Sequence, residues 1–263
     1  MRIDGPTPAS ARGSRASLLT FSPMIHSELC RFILTRYEIP FQEEAHVFGW
    51  VSVLSLLRAG TIQIPVFLGK EGTRLVGPQA LIDQFDKSCS SGRALLPTDP
   101  TLRAEVKLDW DTFDTLGDAT RVLAYYYLLP HREIMIEPFT RGLPPLEASV
   151  VRKTYPFFAG LLQVLLRLTA ARARDALTRI RAIFDQVDRR IAGGQHFLVG
   201  SQLTLSELAL ATAVSPLTLP QGYGSPIPPF EVMPPPLQNI ITELRDHDTA
   251  RFVERIYRDY RKQ

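Results

Sequence analysis

A turn that carries hydroxyl groups lies near the start of the chain. Ser22 and Pro23 stand where an apolar run at residues 17–21 gives way to a helical pattern at residues 27–37. A hydroxyl donor and a helix N-terminus both favour an anion such as a thiolate. Met24 has no proton to donate, whereas His26 and Ser27 do. The alternative for Ser22 is structural, a side chain that caps the helix.

The chain has two cysteines, Cys30 and Cys89. Cys30 lies one helical turn before Ile33 and Leu34, on roughly their side of the helix, which predicts a core thiol rather than a nucleophile. Two cysteines make no disulfide framework, and no Cys/His spacing indicates a metal site. The sequence therefore favours a reducing, cytoplasmic setting.

Composition narrows the class of protein. The 263 residues are 45% hydrophobic, which suffices for two modest cores, and the net charge is +3. Arginine is spread along the chain among Asp and Glu, whereas a nucleic-acid binder would concentrate it on one face. The most apolar stretch, residues 156–166, is far shorter than the roughly 20 residues of a membrane span. We therefore expect neither a nucleic-acid partner nor a membrane.

The sequence changes from an alternating strand and helix pattern to a helical pattern along the chain. After a tail at residues 1–16, the pattern up to residue 92 reads β-α-β-α-β-β-α, which predicts a mixed sheet with helices on both faces. Residues 93–263 read as helical. The predicted segments are residues 17–21, 27–37, 41–45, 51–58, 64–68, 74–76 and a helix opened by Gly77-Pro78, then helices at 100–129, 146–168, 171–191, 237–245 and 249–261.

Two local signals stand out in the helical part. Pro156 should kink or break the helix at residues 146–168. Thr204 and Glu207 have the spacing of a capping box, in which each side chain bonds the other residue's backbone N–H.

Several segments resemble one family, the cytosolic glutathione transferases. They are SPMIHSELCRFILTRYEIPFQEE, the Ile64-Pro65 turn and FLVGSQLTLSELALA, in the family's order over roughly residues 17–263. The stretches EEAHVFGW, YYYLLP, FDQVDRRI and LPQGYGSPIPP are similar to a poorly characterised bacterial branch of it. The resemblance implies a thioredoxin-like α/β domain followed by an all-helical domain.

It also implies a site for glutathione as co-substrate. Ser22, or else His26 or Ser27, would activate the thiol. Counting back from Ile39-Pro40 without a gap puts Met24 at the activating position. Ile64 would pair with the extended tripeptide across a cis Ile64-Pro65 bond, the alternative being an ordinary trans proline.

The resemblance further implies that Gly77, Pro78 and Gln79 hold the γ-glutamyl carboxylate at a helix N-terminus. Pro78 replaces the family's Ser or Thr and has neither its hydroxyl nor its N–H, so only Gln79 offers donors. The Gly-Pro pair is also a good helix start in its own right.

The acceptor pocket is expected on the first helix of the second domain. Met24, Arg121 and Tyr125 would line it, and of the three consecutive tyrosines at least one must point elsewhere. The alternative for these tyrosines is ordinary packing with solvated hydroxyls.

Two functions are consistent with these residues. One is a transferase, a homodimer by resemblance, that conjugates glutathione to a small apolar electrophile. The other is a non-catalytic module that binds a ligand or a protein and has a degraded glutathione site.

Overall fold

We analysed a computed structural model, which describes residues 16–90 and 92–261. The tail predicted at residues 1–16 lies outside this part apart from Ala16. The strands are β1 (Ser17–Thr20), β2 (Gln42–Ala45), β3 (Val66–Leu68) and β4 (Arg74–Val76). The helices are α1 (Ile25–Arg36), α2 (Trp50–Ala59), α3 (Gly77–Phe85), α4 (Pro100–Leu128), α5 (Arg132–Thr140), α6 (Pro145–Leu165), α7 (Ala170–Ile191), α8 (Leu205–Thr218), α9 (Pro235–Arg245) and α10 (Asp248–Tyr260).

The four strands form one mixed sheet in the order β2-β1-β3-β4. β1 runs parallel to β2 and antiparallel to β3, and β4 is antiparallel to β3. β1 is buried along its whole length, as its run of apolar residues predicts. α1 packs against α3, and α2 contacts β1 and β3.

The helical part is built around α8. This helix is buried along nearly its whole length, which suits its almost uniformly apolar sequence. α4, α9 and α10 pack against it, and α1 contacts it from the side of the sheet. α7 packs on α4 and α10. The sheet followed by the helices confirms the predicted fold class. The division at residues 92 and 93 stays a prediction.

α5 is missing from the sequence-based prediction, which leaves residues 130–145 without a helix. The structure shows a short helix that packs against α6. Pro138 interrupts its helical pattern, but it stands near the C-terminal end, where its ring is buried with Phe139. Tertiary packing of this aromatic end stabilises a helix that local propensity does not favour.

The local signals of the helical part are confirmed. α6 kinks at Thr154, whose φ of −109° and ψ of 17° are not helical, two residues before Pro156. Thr204 is the N-cap of α8 and forms the reciprocal capping box with Glu207. Glu207 also accepts a hydrogen bond of 2.6 Å from the Leu198 N–H, so the cap ties the preceding loop to the helix.

Cys30 lies in the core, as its position in the helix predicts. It is 1% exposed, and burial raises the pKa of its thiol. Within residues 16–90 and 92–261, no helix is long and apolar enough to cross a membrane.

Candidate functional site

The turn after β1 holds Ser22 in a network of hydrogen bonds. The Ser22 hydroxyl accepts a bond of 3.1 Å from the Arg31 guanidinium, and the Ser22 carbonyl accepts one of 2.8 Å from the Ser225 hydroxyl. Met24, not Ser22, is the N-cap of α1, and no side chain caps this helix. The capping alternative for Ser22 is therefore wrong. Ser27 is buried and donates to the Phe21 carbonyl at 3.0 Å.

Arg31 is the centre of this network although it is only 4% exposed. Its Nε and Nη2 donate to the two carboxylate oxygens of Glu43 at 2.9 and 2.6 Å. Its Nη1 donates to Glu28 at 3.0 Å and to Ser225 at 2.9 Å. Burial alone would raise the pKa of Glu43, but the hydrogen bonds from Arg31 outweigh it and hold that pKa below its usual value.

The loop between α8 and α9 closes onto the same network. The carboxylate of Glu28, which is fully buried, accepts from the Gly224 N–H at 3.2 Å and from Arg261 at 3.1 Å. A Cβ atom at Gly224 would lie 2.6 Å from a Glu28 carboxylate oxygen, so only glycine fits against it. The turn after β1 is thus fixed by residues about 200 positions away in sequence.

An apolar cavity of about 200 Å³ opens between the sheet and α4. Its lining comes from the turn after β1 and the start of α1, from the loops on either side of α2, from α4, α5 and α6, and from α8 and the loop after it. The lining residues include Phe21, Pro23, Met24, Ile25, Phe48, Ile64, Arg121, Ala124, Tyr125, Leu128, Met135, Pro138, Leu162, Leu165, Leu166, Pro216, Tyr223, Pro226, Ile227 and Pro228. A largely apolar pocket with a few polar groups is typical of small-molecule sites.

Met24, Arg121 and Tyr125 all line this cavity, where the sequence analysis expects the acceptor pocket. Arg121 is the only charged side chain among the lining residues that the structure describes. Its Nη2 donates to Asp118 at 2.7 Å, whereas its buried Nε has no partner there. Burial raises the pKa of Tyr125, so its phenol stays protonated.

His26 lies beside the cavity rather than in its wall. Its Nε2 is 2.7 Å from the Asp114 carboxylate on α4, in a small neighbouring pocket of about 30 Å³ that Trp110 and Arg121 also line. The hydrogen bond to His26 lowers the pKa of Asp114. This pair joins the first helix of the sheet part to the first helix of the helical part.

Ile64 also lines the cavity, and Pro65 follows it in the chain. The bond between them is cis, as the sequence analysis expects. No hydrogen bond within the described part of the chain uses the backbone N–H or C=O of Ile64. The edge that an extended peptide could pair with is therefore free.

Gly77, Pro78 and Gln79 form the N-terminal turn of α3. The Gly77 N–H already donates to the Pro65 carbonyl at 2.9 Å, and Pro78 has no N–H. The Gln79 side-chain amide donates to Asp83 at 2.9 Å. Of the donors expected for a carboxylate here, the backbone N–H of Gln79 is the one left without a partner among residues 16–90 and 92–261.

Sequence reasoning missed Tyr223 and the network around Arg31. Tyr223 stands in the stretch LPQGYGSPIPP, which the sequence analysis uses only for its similarity to a bacterial branch of the family. The glycines on either side of it were the available signal, because they mark a backbone that approaches another segment closely. Arg31 has no such signal, since nothing in its own helix indicates that it pairs with Glu43 on β2 and with Ser225 in the loop after α8.

No family model matches this sequence, and no curated protein matches it. Solved structures do. The fold is similar to that of a glutathione S-transferase from Methylobacterium radiotolerans in complex with glutathione sulfonate, with a TM-score of 0.57 and 18% identity. This match covers 94% of this chain and 92% of that one.

Two further solved structures are similar over most of the chain. One is a glutathione S-transferase from Methylobacillus flagellatus with glutathione bound, with a TM-score of 0.53, 15% identity, and 90% of this chain and 98% of that one covered. The other is FzlA from C. crescentus, with a TM-score of 0.59, 15% identity, and 94% and 88% covered. The chain therefore has the glutathione S-transferase fold.

Proposed function

We propose that this protein is a glutathione transferase that joins the glutathione thiolate to a small apolar electrophile. The observation that supports this most is the apolar cavity, whose lining includes Ile64, Arg121 and Tyr125. A tripeptide paired with the free backbone of Ile64 would place its thiol at the edge of this cavity.

The reaction needs a thiolate and an acceptor held close together. The thiol proton passes to water, the sulfur forms a bond to the electrophilic carbon, and the leaving group departs with its electron pair. A free thiol titrates near 8.5, so stabilising the anion raises the reactive fraction at neutral pH. Ser22 and His26 are the side chains that the sequence analysis proposes for stabilising the thiolate. Gly77, Pro78 and Gln79 would position the γ-glutamyl carboxylate.

The second candidate function is a non-catalytic module that binds a ligand or a protein. The N-terminus of α3 favours it, because Pro78 removes a donor and the Gln79 side chain is already bonded to Asp83. A protein with this defect would keep the fold and the apolar cavity but lose affinity for glutathione.

Retention on immobilised glutathione, followed by turnover of a nitro-activated aryl chloride, separates the two functions. We expect retention, elution by free glutathione and turnover. Ser22→Ala and His26→Gln, assayed beside the wild type, show which side chain contributes to the rate. A wild-type protein that is neither retained nor active contradicts the transferase and supports the non-catalytic module.

We also propose that the protein is a homodimer, since the resemblance implies one. Light scattering at micromolar concentration tests this, and a monomer mass contradicts it.

A further inference from the structure

Large apolar side chains are exposed mainly on two helices. Thirteen of them are between 41% and 77% exposed in the part of the chain that the structure describes. Six lie on α6: Leu146, Val150, Phe157, Leu161, Val164 and Leu165. Five lie on α2 or just after it: Trp50, Val53, Leu56, Leu57 and Ile62. We call these eleven side chains the α2–α6 surface. Single exposed apolar residues are ordinary, but a concentration of this kind indicates an interaction site.

The exposed apolar residues of α6 form a stripe. They recur at steps of three, four or seven positions, which places them on one side of the helix. The opposite side is buried, with Val151, Phe158 and Leu162 in the core. α6 therefore packs into the protein through one face and presents a second apolar face to solvent.

The two helices of this surface begin close together. The Glu147 carboxylate accepts a hydrogen bond of 2.9 Å from the Val47 N–H, and it lies 2.7 Å from Nδ1 of His46. Glu147 follows Leu146 at the start of α6, and Val47 lies three residues before Trp50 at the start of α2. The exposed apolar residues of the two helices are therefore parts of one region of the molecule.

The α2–α6 surface also borders the apolar cavity. Leu165, at the end of α6, is 55% exposed and lines the cavity as well. Phe48 and Ile64, on either side of α2, line it too. A partner that covers this surface therefore lies beside the cavity.

The exposed charges on α6 and just after it are positive. Arg152, Lys153 and Arg167 are exposed, and none of them pairs with a carboxylate of the described residues. The one acidic residue in the sequence of α6, Glu147, is 16% exposed and is bound to the segment before α2. Positive charge thus accompanies the apolar stripe.

The neighbouring helices do not cancel this charge. α5 packs on α6 and carries Glu133 and Glu137, each of which pairs with a basic residue at an end of α5. Arg58 on α2 pairs with Glu44. The charge left over beside the stripe is therefore positive, and it favours an anionic partner.

These features favour a lipid surface over two other partners. A second copy that paired its own α6 with this one would bring like charges together. A helical peptide is bound in a groove, whereas Phe157 and Leu57 are 77% and 74% exposed and so protrude. Protruding apolar side chains enter the interface of a bilayer, anionic headgroups attract Lys and Arg, and tryptophan is favoured at that depth.

We propose that the α2–α6 surface binds a membrane that contains anionic lipids, and that the apolar cavity then lies next to the bilayer. The sequence analysis expects no membrane because no apolar run is long enough to span one. Binding at the surface needs no such run, since one apolar helix face suffices.

Sedimentation with lipid vesicles tests this. One set of vesicles is phosphatidylcholine, and the other contains phosphatidylserine in about a third of its lipid. The test variant is the double substitution Phe157→Ser and Val164→Ser on the stripe of α6. The matched control is Leu108→Ser with Val232→Ser, which changes the two exposed large apolar residues outside the surface.

We expect the wild type to sediment with the anionic vesicles and much less with phosphatidylcholine alone. The double variant on α6 should bind the anionic vesicles about tenfold more weakly or worse, because it removes inserted apolar area. The control should match the wild type. Lys153→Glu should also weaken binding, whereas Lys107→Glu, at an exposed position of α4, should not.

Tryptophan fluorescence gives a second readout. The chain has two tryptophans, of which Trp50 belongs to the surface and Trp110 lies on α4. Anionic vesicles should shift the emission of the wild type and of Trp110→Phe to shorter wavelength. Trp50→Phe should show no such shift.

Three outcomes overturn the inference. The first is a wild type that does not sediment with anionic vesicles, and the second is equal binding by the α6 variant and its control. The third is a wild-type dimer in light scattering that the α6 variant converts to a monomer, since the surface would then join two copies. An unchanged thermal midpoint shows that a loss of binding does not come from unfolding. None of these measurements uses glutathione, so the proposed function is tested separately.

Discussion

The guanidinium of Arg31 faces the carboxylate of Glu43 edge to edge, with two parallel hydrogen bonds of 2.9 and 2.6 Å. This pair joins α1 to β2, and the remaining donors of Arg31 reach Glu28, Ser22 and Ser225. Two-point pairing of this kind fixes both direction and distance, which a lysine could not do.

Arg31→Met should lower the free energy of unfolding by about 3–5 kcal/mol, because it leaves Glu43 without its cation and removes one of the two cations that pair with the buried Glu28. Arg58→Met is the matched control. Arg58 pairs with Glu44, the residue next to Glu43, but at the surface, where loss of a pair costs about 0–1 kcal/mol. Urea denaturation of both variants measures the difference, and equal losses would contradict a central role for Arg31.

The same pair should make the protein sensitive to acid. The pKa of Glu43 in the folded state lies below its ordinary value of 4.5. Its contribution to stability is therefore complete above about pH 4.5 and is lost as the pH falls through the lower, folded-state pKa. Denaturant midpoints measured from about pH 6 down to about pH 3 should fall steeply.

Glu43→Gln supplies the comparison for this acid sensitivity. The variant should be less stable than the wild type at neutral pH, and the gap between them should narrow as the pH falls. Parallel curves for the two proteins would show that Glu43 does not contribute to the acid loss.

Thr204→Ala should lower the unfolding free energy by roughly 0.5–2 kcal/mol, because it removes the N-cap of the buried helix α8. Thr178→Ala is the control, since Thr178 is exposed within α7 and bonds only its own helix. The affinity for any ligand in the cavity should be unchanged in both. If Thr204→Ala unfolds at the same denaturant midpoint as the wild type, the Thr204 cap does not stabilise α8.

Pro78→Ser should raise glutathione affinity at least about tenfold, since it restores an N–H and a hydroxyl at the N-terminus of α3. Gly77 is kept, because its φ of +73° would strain any other residue. Gln79→Ala should change little, since the Gln79 side chain bonds Asp83. Calorimetric titration with glutathione measures the affinity of both variants. If Gln79→Ala weakens binding and Pro78→Ser changes it little, the Gln79 side chain holds the carboxylate.

Most of the fold follows from patterns within short segments. The apolar run of β1, the proline and glycine at the start of α3 and the capping box of α8 each specify an element from a few neighbouring residues. α5 does not, because its stability comes from burying Phe139 against Phe158 on α6. A contact of that kind has no signature within the segment itself.

In the candidate site too, some residues could be predicted from short segments and others could not. Met24, Arg121 and Tyr125 were predicted to line the acceptor pocket and Ile64 to pair with glutathione, and all four line one cavity. Arg31 reads in the sequence as an ordinary helix arginine, and Tyr223 as part of a loop. Their surroundings are set by partners far along the chain, such as Ser225 for Arg31 and Tyr257 for Tyr223, which only the folded structure brings together.

The burial of Glu28 limits how the sheet part of this protein can be separated from its helical part. Its carboxylate is fully buried and accepts from Gly224 and Arg261 as well as from Arg31. A fragment cut after the sheet, or a chimera that joins this sheet to another protein's helices, would leave that charge facing solvent or a foreign surface. The two halves are therefore not interchangeable modules, and an engineer who wishes to graft one must carry the loop around Tyr223 with it.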